Sequence, residues 1–236
     1  MHVKVAAGLW GNEKALVTVD ITGDLLLHTR AGADMLELKT RRFRWANGVP
    51  LKVGWRSRVD FAPTGFAGAE HPSLLLQDLE NDLAVATPET EGSLTLSTFR
   101  KLRYADGSTV RPSGINGLSG RAHMSLVDWD RDGLTDIVFG NNASSQRFIE
   151  KTVRRRGGSL LYVLRNVGSD AEPKFAEAAP MILRKNGKRL GFGWHNSTPW
   201  VTDLNGDGKP DLLVSAENGK VYAFDHDEVD IGAVEK

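Results

Sequence analysis

The chain contains no cysteine, which excludes disulfides, thiolate nucleophiles and cysteine-based zinc sites. It also has no net charge: 30 basic and 30 acidic residues cancel, leaving no global field to draw nucleic acid or an anionic membrane. No apolar run is long enough to span a bilayer. Extended stretches with the three-to-four periodicity of an amphipathic helix are missing as well, and no nucleophile elbow, phosphate loop or catalytic-triad pattern stands out. What remains is a chain of 236 residues with 25 glycines, in which short apolar runs alternate with Gly, Pro and Asn turns. That pattern reads as all-β.

Within this background one nine-residue pattern, D-x-[DN]-x-D-G-x-x-D, occurs twice: DWDRDGLTD from Asp128 to Asp136 and DLNGDGKPD from Asp203 to Asp211. Carboxylates that close repel one another, so the spacing makes physical sense around a hard dication, and calcium is the natural candidate. Asp128, Asp130 and Asp132 would supply side-chain oxygens, Gly133 would turn the Leu134 carbonyl inward, and Asp136 would close the shell. In the second copy the ligands would be Asp203, Asn205, Asp207, the Lys209 carbonyl and Asp211, with Gly208 at the turn. Asn205 carries no charge, which weakens that site, while Pro210 stiffens it. An EF-hand is excluded, because its twelfth-position glutamate is replaced by Phe139 and Val214. The apolar runs IVFG and LLVS that follow the loops read as buried strands.

Strand, acidic loop, strand resembles the FG-GAP or VCBS repeat, the blade unit of integrin-like β-propellers, over about residues 120 to 226. LRNVGSDAEPKF is similar to a phrase typical of bacterial members of that group, which include carbohydrate-associated propellers. The amino-terminal half repeats the unit in worn form: ALVTVDITGDLLLHT holds Asp20 and Asp24, and SLLLQDLENDLAVAT holds Asp78 and Asp82. Their turns are too short for a calcium shell, so calcium is expected only at the two later loops. Counting Asp24, Asp82, Asp136 and Asp211 gives four repeats, approximately 11–55, 56–118, 119–194 and 195–236, in one β-propeller domain spanning 1–236. A second recurring phrase, NGVPLKVGW at 47–55 and NGKRLGFGW at 186–194, reads as an outer strand running into the next blade.

The last repeat lacks an outer strand, and HVKVAAGLW at the amino terminus resembles LKVGW, so residues 1–10 are expected to complete the last blade. Two alternatives stay open: the chain is an arc of a larger ring, or two such arcs self-associate.

If each acidic loop joins the first and second strands of a blade, the starts of the first strands gather at the opposite rim. His71, His123 and His195 stand there, accompanied by Arg56 and Arg121. Their functional reading is an acidic-polysaccharide site, in which Arg56 and Arg121 hold a carboxylate and a histidine removes a proton in lyase-type β-elimination. Three imidazoles would alternatively bind a transition metal such as zinc, or each would simply cap a strand. The other functional class is a non-catalytic scaffold that binds protein, with purely structural calcium. Calcium loops of this charge suit a calcium-replete compartment, so the expected location is extracellular or periplasmic, with a leader not visible at Met1.

Overall fold

The computed structural model describes residues 5–32, 37–54, 57–112, 122–140, 159–192, 197–216 and 218–234. Blade one consists of β1 (Val5–Trp10), β2 (Glu13–Val19), β3 (Leu25–Arg30) and β4 (Leu38–Arg42). Blade two opens with the short β5 (Arg44–Trp45), followed by β6 (Asp60–Ala62), β7 (Ser73–Gln77), β8 (Leu83–Pro88) and β9 (Thr95–Lys101). After β10 (Arg103–Tyr104) come the blade-three strands β11 (His123–Val127), β12 (Asp136–Gly140) and β13 (Leu161–Leu164), then β14 (Lys174–Phe175) and β15 (Ala179–Leu183). Blade four is β16 (Ser197–Thr202), β17 (Asp211–Ala216) and β18 (Val221–Phe224), and β19 (Val229–Ile231) ends the chain. The four sheets stand in a ring as the blades of a β-propeller, and none closes on itself.

Apolar side chains on alternate strand positions fill the junctions between successive blades. Val17, Leu25 and Leu27 of blade one meet Leu74, Leu76 and Ala86 of blade two. On the other face of blade two, Leu75, Leu83 and Val85 meet Ile137, Phe139 and Tyr162. Val138, Val163 and Met181 of blade three then meet Leu212 and Val214 of blade four. Gly140 lets blades three and four approach closely, since a Cβ there would collide with the Ser197 carbonyl.

Both chain ends depart from the sequence reading. Val5–Trp10 does not complete the last blade. A tight turn at Gly11, which has φ 59°, folds it back onto β2 instead, so that it forms the inner edge of blade one. Blade two gains an inner strand likewise, β6 pairing with β7, so in these two blades the aspartate turn joins the second and third strands. At the other end, β19 leaves blade four and pairs with β15, Met181 opposite Ile231, tying the last blade to the third.

The two similar phrases sit on opposite rims. Lys52 lies beside Asp24 at the loop rim, whereas Arg189 and Gly191 pair with Ile182 and Leu160 at the far rim. Counted from the strand before each loop, NGVPLKVGW follows the third strand and NGKRLGFGW the fourth, and each added strand reverses direction. The structural counterpart of the first phrase is DGSTVR at 106–111: Leu51 and Val110 donate to Phe43 and Leu102 in the same way.

Candidate metal centre

The two nine-residue loops are built alike. In blade three the Asp128 carboxylate accepts the backbone N–H groups of Asp132 and Gly133 at 3.1 and 3.0 Å, and Asp132 accepts that of Leu134 at 2.9 Å. In blade four Asp203 accepts from Asp207 and Gly208 at 3.2 and 3.0 Å, and Asp207 accepts from Lys209 at 2.9 Å. Two left-handed residues wind each loop, Arg131 and Gly133 in one, Gly206 and Gly208 in the other. The closing aspartates are buried and each accepts two backbone N–H hydrogen bonds: Asp136 from Trp129 and Asn166, Asp211 from Leu204 and His226.

Asp128, Asp130 and Asp136 each bring an oxygen within 4.8 Å of the others, a convergence that suits a hard dication. Arg165 is the basic side chain paired with this group among the described residues, and it stands 3.9 Å from Asp130. Burial, with the charges of Asp130 and Asp132, pushes the Asp136 carboxyl up to about 6 despite its two backbone bonds. Asp130 is raised for the same reasons, burial first and then its neighbours' charges. In blade four Asp203, Asp207 and Asp211 do not form such a group among the described residues. Asn205 there accepts the Asp207 N–H, and the Lys209 ammonium lies 2.5 Å from Asp227 and 4.0 Å from Asp207.

The shortened turns solve the same electrostatic problem with the protein's own cations. In blade two Asp78, Glu80 and Asp82 also converge within 4.8 Å, and the Lys101 ammonium sits among them at 3.2, 2.6 and 2.8 Å. Arg111 forms a further ion pair with Asp82. Burial alone would raise the Asp82 carboxyl, yet hydrogen bonds and charge from Arg111 and Lys101 together hold it below the usual carboxylate range. Blade one does the same more simply, with Lys52 2.6 Å and Arg42 3.1 Å from Asp24.

These cations occupy repeat-equivalent positions. Arg42 lies opposite Leu26 and Lys101 opposite Ala84; the corresponding ladder positions opposite Ile137 and Leu212 hold Leu164 and Phe224. The blades with short turns therefore carry a basic residue where the blades with long acidic loops carry an apolar one.

The rim cluster is only partly visible. Arg56, Arg121 and His195 lie outside the described residues. His123 begins β11 and is buried, with its Nδ1 2.6 Å from the Thr198 hydroxyl, so it bridges blades three and four. His71 precedes β7, and its carbonyl accepts the Ser73 hydroxyl at 2.8 Å. A polar cleft does open on that rim, between the Gly11 and Gly92 turns, where Glu13 and Arg41 pair at 3.0 Å. Nothing in the sequence singled it out, because its residues come from two ordinary turns.

Residues 197–224, from β16 to the end of β18, match the FG-GAP repeat. Neither a curated protein nor a solved structure matches the chain. The four sheets make this chain a four-bladed β-propeller, and its last blade matches the FG-GAP repeat.

Proposed function

We propose that the chain is a non-catalytic interaction scaffold whose third and fourth blades are stiffened by calcium, while its first and second are stiffened by built-in cations. The observation that carries this is the opposite behaviour of two loop carboxylates. Asp82, beside Lys101 and Arg111, is held low, whereas Asp136 is pushed up to about 6 by burial first and then by the charges of Asp130 and Asp132, with no comparable cation beside it among the described residues. A dication would relieve that excess of negative charge. Asp128, Asp130, Asp132, Asp136 and the Leu134 carbonyl would hold one ion. Asp203, Asn205, Asp207, Asp211 and the Lys209 carbonyl would hold a second, more weakly. A calcium-replete setting, extracellular or periplasmic, fits loops of this charge. Rigid blades would then present their rim loops to a partner protein.

Binding or β-elimination of an acidic polysaccharide has less support, since a base must reach the proton it removes and His123 is buried against Thr198. Two measurements test the scaffold reading. Chelation should lower the melting temperature, and a panel of uronate-containing polysaccharides should give no rise in absorbance from unsaturated product. A melt indifferent to chelator, or product formation abolished by His195→Ala, would reverse it.

A further inference from the structure

The junction between blade four and blade one differs from the other three: among the described residues no apolar cluster spans it. The two faces that border it are nonetheless apolar. Trp200 lies three residues before the first aspartate of its loop, as do Val17, Leu75 and Ser125 in the other blades. Those three are buried, yet Trp200 is 63% exposed. Its cross-strand neighbours Leu213 and Ala223 lie on the same face, and Val221 nearby is 67% exposed. Blade one shows the complementary case. Leu16 occupies the position of the buried Leu74, Met124 and Pro199 but is only half-buried, and beside it on β1 stand Val5, 49% exposed, and Leu9, 56% exposed. Among the described residues, five of the ten exposed large hydrophobic side chains belong to these two faces: Val5, Leu9, Leu38, Trp200 and Val221. An apolar surface concentrated in this way marks an interface.

We infer that a second copy of this chain covers both faces, the Trp200 face of each blade four stacking on the Leu9 face of the partner copy's blade one. Three junctions inside the chain set the precedent. At each, the face equivalent to that of Trp200 packs against the face equivalent to that of Leu16 on the next blade. The surface that fits one free face is therefore of the kind the other supplies, and the chain carries one of each. A twofold pair of copies makes this contact twice, as the two halves of one self-complementary interface, and leaves neither face in water.

Light scattering behind a sizing column tests the inference on the calcium-loaded chain. The expected result is the mass of two chains for wild type and of one chain for Trp200→Glu and for Leu9→Glu, with unchanged circular dichroism, because either substitution spoils both junctions of a pair. Mixing the two variants should restore part of the two-chain mass, since one unaltered junction can form between them. A wild-type mass of one chain would overturn the inference. So would a mass above two chains, a pair that survives both substitutions, or no recovery on mixing, which would point to a simple Trp200-to-Trp200 patch.

Discussion

Replacing Lys101 by methionine removes the ammonium that bridges Asp78, Glu80 and Asp82 while keeping the length and packing of the aliphatic stem. Asp78 and Asp82 are buried, so the change strands charge that water cannot solvate. Removing one partner of a fully buried pair costs about 3–5 kcal/mol. Here the lysine side chain keeps 35% exposure and Arg111 remains on Asp82, so about 2 kcal/mol is the reasonable magnitude. For a domain of this length 1 kcal/mol moves Tm by roughly 2–4 °C, giving a drop of about 4–8 °C for Lys101→Met. Thermal melts followed by circular dichroism read this directly. Adding Asp82→Asn should recover part of the loss, because the stranded charge goes with it. A Tm unchanged by Lys101→Met, or a double variant whose loss is the sum of the two single ones, would refute the built-in cation.

The other expected outcomes concern the blades with long loops and the close junction between them. Gly140→Ala should destabilise the chain by about 1–3 kcal/mol in a denaturant titration, since the obstructing Ser197 carbonyl belongs to a strand that cannot swing away. In chelator, the part of the stability that depends on Asp136, read as the difference between wild type and Asp136→Asn, should fall as pH rises from about 4 through about 6. Over that window native Asp136, raised to about 6, keeps a proton that the unfolded chain has already lost. Calcium should flatten the trend, and melts across pH with and without it provide the check. Asp128→Ala should abolish the stabilisation by calcium at blade three and also lower the melt in chelator by a few degrees, because the half-buried Asp128 carboxylate accepts two loop N–H groups.

The acidic loops were legible in the sequence because all their groups fall within nine consecutive residues, and the propeller followed from finding that unit in four contexts. The cations of blades one and two were not legible. Lys101 and Arg111 reach Asp82 from 19 and 29 residues away, and only the ladder that sets Lys101 opposite Ala84 brings it there. The amino-terminal strand was misplaced because alternating apolar residues suit any blade edge, and sequence similarity to LKVGW cannot choose among edges. Whether a phrase lies on one rim or the other depends on the number of strands before it, so NGVPLKVGW and NGKRLGFGW could share letters and not position. Alternation along β16 puts Trp200 on the face opposite Pro199 and Val201, but the strand itself does not say whether another blade covers that face.

The central claim is that two blades take their cation from solution and two carry their own. Calorimetric titration of the metal-free chain with calcium tests it most directly. The account predicts two sites, the tighter one lost in Asp136→Asn and the weaker in Asp211→Asn, with neither changed by Lys52→Met. Absence of binding, or sites at all four turns, would contradict it.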